Sequence, residues 1–184
     1  NRIKSINFKK HTITLKERDR VILAVPPNVI SSLLPDIQTP KQTNAIVNVH
    51  FRLDDRPELP NAAPFIGIIG GTAHWLFKHE DIYSVTISAA NNFSEKSNEE
   101  ISNIIWKEVA KVIGIEHRER PLYRVIREKR ATFSQTPSEN QRRAGSRTKW
   151  KNLFLAGDWT DTGLPATIES AVVSGQKVSE IVRE

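Results

Sequence analysis

Asn152-Leu153-Phe154-Leu155-Ala156-Gly157-Asp158, continued by Trp159-Thr160-Asp161-Thr162-Gly163-Leu164 and then Pro165-Ala166-Thr167-Ile168-Glu169-Ser170-Ala171-Val172-Val173-Ser174-Gly175, reads as a buried strand, a loop entered through Gly-Asp, and a helix. The apolar run up to Ala156 is strand-length and bounded by glycine. Pro165 suits the first turn of a helix, where no N–H is needed. Ile168, Ala171, Val172, Gly175, Val178 and Val182 fall at helical spacing and predict its apolar stripe. A strand that feeds a helix through such a loop delivers unpaired N–H groups and a partial positive charge to the sheet edge, a site for anionic or electron-rich atoms. Gly157 and Gly163 would remove side chains where a ligand approaches the backbone, and Asp158 would offer a hydrogen-bond acceptor. Gly-Asp after a strand is also a common plain turn, so the weight rests on the run as a whole.

The rest of the chain falls into segments around this unit. Ile3–Lys9 and Thr12–Glu17 alternate loosely around Lys10-His11, as two short strands. Val21-Ile22-Leu23-Ala24-Val25, stopped by Pro26-Pro27, predicts a strand buried on both faces, and Asn28–Leu34 a short helix. From Asp36 to Asn44 proline, threonine and glutamine displace the hydrophobic pattern, which marks a crossing between domains. Ala45–Leu53 alternates cleanly, Phe65–Ile69 and Ala73–Phe77 flank a Gly70-Gly71 turn, and Ile82–Ala89 places Tyr83, Val85 and Ile87 on one side, which together predict an antiparallel meander. Ser97 with Glu100 forms a capping signature ahead of the stripe Ile101, Ile104, Ile105, Val109, Val112 and Ile113, and Gly114 ends that helix. Leu122–Phe133 predicts a long basic strand and Ser134–Arg147 a polar second crossing. The expected domains are therefore 1–36 and 141–184 together, with 37–140 inserted between them.

Composition narrows the classes of function. No apolar run reaches the length of a membrane-spanning helix, and the first residues carry no signal core. The chain holds no cysteine, which excludes thiolate catalysis and cysteine-ligated metal, and no methionine, so that a processed or excised piece is expected. The formal charge of +6 is concentrated in Arg118–Arg130 and Arg142–Lys151. Such clusters suit a solvated face, anionic lipid or a phosphate-bearing cofactor, and with no nucleic-acid-binding motif beside them nucleic acid is set aside. His74 and His79 lack a third ligand, so no metal site is expected.

The run from Leu155 to Gly175 resembles the C-terminal FAD signature of flavin amine oxidases and phytoene desaturases. Its Gly163-Leu164-Pro165-Ala166-Thr167-Ile168-Glu169 core is most similar to the hydroxysqualene dehydroxylases, also called squalene-associated FAD-dependent desaturases. Val21–Pro27, Ile46–Phe51, Gly70–Phe77 and Glu128–Pro137 resemble segments of the same family in the same order, so the likeness covers nearly the whole chain. It implies the α/β plus α+β architecture of a two-domain FAD/NAD(P)-binding (Rossmann-like) flavoprotein, with a mixed or antiparallel substrate domain. The eight glycines do not form the G-x-G-x-x-G turn that holds the ADP half of FAD, which places that half upstream of Asn1. Alone, the chain is expected to bind FAD weakly or not at all and to be inactive.

The resemblance implies Gly157, Asp158, Thr162, Gly163, Leu164, Pro165, Ala166 and Thr167 as cofactor-binding residues, with the helix N-terminus aimed at the pyrimidine edge of the flavin and Asp158 at its ribityl hydroxyls. It also implies reductive dehydroxylation of hydroxysqualene to squalene, in hopanoid synthesis. A carotenoid desaturase or amine oxidase, and a non-catalytic interaction module on the same fold, are the alternatives. Trp75 and Phe77 are candidates to line an apolar channel, ordinary core packing being the competing reading. His50 and His74 are candidates to donate a proton to a leaving hydroxyl. Arg127, Lys129 and Arg130 face either cofactor phosphates or solvent, and Glu169 favours the helix dipole. No residue pair is defensible as catalytic acid and base. A C30 isoprenoid is nearly insoluble in water, so peripheral contact with the inner face of a membrane is expected of a cytoplasmic parent enzyme, helped by the basic excess.

Overall fold

The computed structural model describes residues 1–93 and 95–183. The chain divides into two compact units, Asn1–Gln42 with Phe133–Glu184, and Thr43–Thr132.

The second unit is built on alternation. Strands β4 (Thr43–Arg52), β5 (Phe65–Gly67), β6 (Trp75–His79), β7 (Ile82–Ile87) and β8 (Tyr123–Phe133, cut at its last residue by the unit boundary) form one sheet in the order β5-β6-β7-β4-β8. In β4, Ala45, Val47, Val49 and Phe51 are buried, and the register sets Val47 on Ile87, Val49 on Val85 and Phe51 on Tyr83. A slip by one residue would turn this whole apolar set outward, so the pattern fixes the register. Helix α2 (Asn98–Val112) covers that face with Ile101, Ile105, Trp106, Val109 and Ala110, giving a single core in which Phe51 meets Trp106 with ring centroids 5.2 Å apart. Its start is the capping box read from the sequence: Glu100 N donates to Ser97 Oγ at 3.1 Å and Ser97 N to the Glu100 carboxylate at 2.8 Å. Its end is released by Gly114 at φ +73°.

The Gly70-Gly71 turn is longer than expected, since residues 68–74 lie outside the strands. Thr72 N and Ala73 N donate to the Glu108 carboxylate at 2.9 and 2.7 Å rather than to a neighbouring strand, and a Cβ on Gly71 would sit 2.7 Å from that carboxylate. Helix α2 thus holds the β5–β6 connection as well as the core.

The first unit is assembled from both ends of the chain. Strands β1 (Ser5–Asn7) and β2 (Thr12–Thr14) pair antiparallel, and β3 (Val21–Leu23) pairs parallel with β9 (Leu153–Leu155). Asn152, fully buried, clasps Ile3 by accepting from its N–H at 2.8 Å and donating to its carbonyl at 2.9 Å. Helix α1 (Pro27–Leu33) follows β3, and helix α4 (Ile168–Ile181) follows β9. Ile30, Phe133, Leu155, Trp159 and Ala166 make one apolar cluster, and Phe154, Ala156 and Val178 another.

Four expectations are corrected in this unit. Ile22 is 45% exposed, because β3 and β9 alone form a two-stranded sheet that covers one side of the strand. The second crossing contains a short helix, α3 (Pro137–Asn140), whose Glu139 is buried and accepts from Lys41 N at 2.5 Å. Pro165 precedes α4 instead of opening it, since Thr167 is the N-cap and accepts from Ser170 N. The predicted α4 stripe is mostly outside: Ile168 is 86% and Val172 48% exposed, while the buried positions are Ser170, Ser174 and Val178. The two serines face inward because they serve hydrogen bonds of the loop that precedes the helix.

Candidate functional site

The loop between β9 and α4 is tied down from within. Gly157 N donates to Ser174 Oγ at 3.0 Å, and Ser174 Oγ also meets Thr160 Oγ1 at 2.7 Å. Thr160 closes back on the Gly157 carbonyl through both its N–H and its hydroxyl. Thr162 Oγ1 meets Ser170 Oγ at 2.7 Å and accepts from Leu164 N, and Ser170 Oγ donates to the Asp158 carbonyl at 3.0 Å. Trp159 is buried and its indole N–H donates to the Val25 carbonyl at 3.0 Å, which anchors the loop on the segment after β3.

Arg143 gathers what remains. Its Nε donates to the Trp159 carbonyl, Nη1 to the Leu164 carbonyl at 2.8 Å, and Nη2 to the Asp158 and Thr160 carbonyls and to Thr162 Oγ1. Burial pulls the guanidinium below its ordinary value while the charges of Asp161 and Asp158 pull the other way. Sequence reading missed Arg143, leaving it inside a basic cluster, because a nest of backbone carbonyls has no sequence signature. It missed Ser170 and Ser174 as well, for which the only signal was their i, i+4 spacing beside an apolar stripe.

Loop amides thus divide into two sets. Those of Gly157, Thr160, Asp161, Thr162 and Leu164 are spent inside the chain. Among the described residues, no acceptor meets the N–H groups of Asp158, Trp159, Gly163, Ala166, Thr167, Ile168 or Glu169. Free donors at a helix start carry partial positive charge and suit a carbonyl or an anion. The glycines also divide. Gly157, at φ +140°, is required by Trp159, whose indole nitrogen would lie 2.9 Å from an added Cβ. Gly163, at φ +81°, has nothing within 4 Å of that position, so a ligand can come close there. The Asp158 carboxylate takes none of the loop's bonds. Free amides, an open glycine and a spare carboxylate fit the electron-rich edge and the hydroxyls of a flavin nucleotide.

The second unit offers a different surface, the sheet face opposite α2. Phe65, Phe77, Ser84 and His50 stand in register across four strands, and Gly67, Trp75, Thr86 and Asn48 form the adjacent row. Phe65, Trp75 and Phe77 are 50, 44 and 40% exposed, so they are not core residues. The Phe65 ring lies 6.2 Å from that of Trp75 and 5.7 Å from that of Phe77, and the indole rests over Gly67. Beyond the aromatics the rows turn polar: His50 Nδ1 meets Ser84 Oγ at 2.8 Å and Thr86 Oγ1 donates to Asn48 Oδ1 at 2.8 Å. Burial, then the nearby charge of Arg124, lowers the His50 pKa below its ordinary 6.5, so the ring is neutral at pH 7. His74 stands outside both rows and accepts from Ser88 N through Nδ1. Arg127 reaches the start of α2, donating to Asn98 Oδ1 and the Lys96 carbonyl, whereas Lys129 and Arg130 are exposed.

This pairing of a β9–loop–α4 unit with a helix-backed antiparallel sheet is the fold of flavin-dependent amine oxidases. Solved structures share it: an Exiguobacterium sp. 255-15 protein provisionally named a protoporphyrinogen oxidase (TM-score 0.66, 15% identity, covering 98% of this chain and 46% of that one) and putrescine oxidase bound to putrescine (TM-score 0.59, 18% identity, 90% and 43%). The chain belongs to the family of flavin containing amine oxidoreductases, whose model matches residues 2–183. Within it, the chain is 43% identical over 183 residues to the hydroxysqualene dehydroxylase of Rhodopseudomonas palustris, covering 99% of this chain and 43% of that protein. Similarity to the hydroxysqualene dehydroxylase of Zymomonas mobilis is 43% over 179 residues, covering 97% and 42%. A 15-cis-phytoene desaturase of Synechococcus elongatus is more distant, at 22% identity over 91% of this chain and 40% of that protein. The chain therefore spans less than half the length of these relatives.

Proposed function

We propose that these residues are the C-terminal portion of an FAD-dependent oxidoreductase that converts hydroxysqualene to squalene. The observation that carries this reading is the 43% identity to hydroxysqualene dehydroxylases along almost the whole chain, the free-amide loop included. The unit Asn1–Gln42 with Phe133–Glu184 contributes to the FAD domain, and Thr43–Thr132 forms the substrate domain. The dinucleotide-binding half comes from the upstream part of the same polypeptide, which accounts for an apolar α4 face at the surface.

In this reading the free N–H groups of Gly163, Ala166 and Thr167, with the first turn of α4, would hold the flavin's electron-rich edge, and the Asp158 carboxylate would serve its ribityl side. When bound, reduced FAD would supply a hydride to the carbon that loses its hydroxyl, and with one proton the products would be squalene and water. The chain's own work is placement and charge stabilisation. Phe65, Trp75 and Phe77 offer an aromatic shelf to the hydrocarbon. His50, neutral and paired with Ser84, suits hydrogen bonding to the hydroxyl better than outright protonation of it, and His74 is the weaker candidate for that contact. An insoluble substrate further implies work at the cytoplasmic surface of a membrane, tested by sedimentation with anionic liposomes at low and high salt.

The test is anaerobic turnover of hydroxysqualene by the full-length parent with pre-reduced FAD. Stoichiometric squalene supports the reading. Turnover of phytoene or an amine in its place, or a parent that binds no flavin, overturns it in favour of a desaturase, an oxidase or a non-catalytic module.

A further inference from the structure

Arg143 is unusual in having so many partners and no counter-ion. Its fork of donors serves the carbonyls of Asp158, Trp159, Thr160 and Leu164 and the hydroxyl of Thr162, and the guanidinium lies 5.3 Å over the Phe133 ring. Among the described residues no carboxylate lies within ion-pair distance of it; Asp161 and Asp158 act on it only through space. A guanidinium stays protonated in proteins, so its charge is retained.

Two consequences follow from elementary geometry and electrostatics. By holding the carbonyls of Asp158, Trp159 and Thr160 on one side of Gly163 and that of Leu164 on the other, the fork ties the two arms of the loop together and limits the conformations open to the residues between them. The unpaired N–H of Gly163 lies between those two arms, and those of Ala166, Thr167, Ile168 and Glu169 follow soon after Leu164 in the chain. The second consequence is a full positive charge beneath a loop that leads into a helix N-terminus, so that both act with one sign on whatever sits there.

We propose that Arg143 is the positioning residue of the flavin loop: its fork fixes the loop that carries the free amides, and its charge raises the reduction potential of the bound flavin by favouring the electron-rich reduced form. The inference rests on the FAD reading of this loop. A lysine could supply the charge but not the fork, and a glutamine neither the charge nor the full set of donors, so the two roles separate experimentally.

The experiment uses the full-length parent, wild type beside Arg143→Lys and Arg143→Gln, with FAD affinity by fluorescence titration, midpoint potential by spectroelectrochemistry, and amide exchange of residues 157–167 without flavin. Expected for Arg143→Lys is FAD affinity about tenfold weaker or worse, faster exchange in the loop, and a potential close to wild type. Expected for Arg143→Gln is the same loosening with a potential shifted negative. Should Arg143→Gln not fold, Arg143→Lys decides the positioning role, and Arg143→Ala with and without added guanidinium ion decides the rest: the ion should restore affinity and potential together. Variants that bind FAD as the wild type does, with unchanged potential and unchanged exchange, overturn the inference. A wild-type parent that takes up no FAD overturns the cofactor reading itself, a result distinct from variants that match a flavin-loaded wild type.

Discussion

Helix α2 carries Ile101, Ile105, Trp106 and Val109 into a closed core, where Trp106 at 5% is the most exposed of them, whereas helix α4 leaves Ile168 and Val172 at the surface and turns Ser170 and Ser174 inward. Both helices read as amphipathic from sequence, and both begin at a hydroxyl N-cap. The difference lies in what each inner face serves. That of α2 completes a sheet whose apolar side is supplied within Thr43–Thr132, so the core between them is closed within the unit. That of α4 satisfies the polar interior of a loop, and the apolar residues left outside are the contact surface that the proposed dinucleotide-binding half would cover.

The comparison breaks most visibly under a charge. Ile105→Asp buries an unpaired carboxylate against β4 and β7 and should cost about 4 kcal/mol or more, seen as loss of the cooperative thermal transition of the Thr43–Thr132 unit. Val172→Asp should shift the stability of these residues by only about 0.5 kcal/mol, yet weaken association with the upstream half in the parent, measured by co-purification of the two halves expressed separately. Equal destabilisation of the 184-residue chain by both substitutions would mean that the outer face of α4 is already covered.

A smaller effect sharpens the account of the inner face. Ser174→Ala removes the acceptor of Gly157 N and the partner of Thr160 Oγ1, both in the interior, and should cost about 1–3 kcal/mol by thermal denaturation, with faster amide exchange at Gly157. A substitution that proved neutral would show that packing, and not these hydrogen bonds, turns the serine edge of α4 inward.

How much of this was legible in sequence follows the same divide. The meander and α2 could be read because burial there is one-sided and local: alternation at Val47, Val49 and Phe51, or a stripe ending at Gly114, needs no knowledge of distant residues. The strand–loop–helix order around Gly157 was equally readable, and so was the family. Which edge of α4 goes inward was not, because it is decided by the needs of the Gly157 amide and the Thr160 hydroxyl. Nor was the exposure of Trp75 and Phe77, since a strand's alternation separates its two faces without saying which one a helix will cover. Arg143 was hidden for a further reason: its partners are main-chain carbonyls, which every residue possesses.

The N-caps carry the comparison to finer scale. Helix α2 has a reciprocal box, in which Glu100 returns to the Ser97 N–H; α4 has Ser170 at the equivalent position, so its Thr167 N–H is left without an acceptor among the described residues. Ser97→Ala should cost about 1 kcal/mol and leave flavin binding by the parent intact, whereas Thr167→Ala should cost a similar amount and also weaken FAD binding in a titration. Equal effects on FAD would remove the distinction between a cap that only closes a helix and one that leaves donors free.

The smallest expected effect is a dependence on pH at one cap and not at the other. Glu100 is held below its ordinary carboxylate value of 4.5 by the hydrogen bond from Ser97 N–H, then by the Ser97 side chain. A depressed folded-state value means that the unfolded chain binds the proton more readily, so the contribution is fully present above about 4.5 and is lost as pH falls through the lower folded value. Thr167 does not titrate. Corrected for intrinsic rates, amide exchange in the first turn of α2 should therefore accelerate as the solution is acidified below 4.5, while the first turn of α4 keeps its protection relative to the rest of its helix. Glu100→Gln keeps an acceptor without a charge and should make the two helices respond alike. Acceleration at both caps in the wild type would show that acid opens the chain as a whole, and would remove the box as the reason the two helix starts differ.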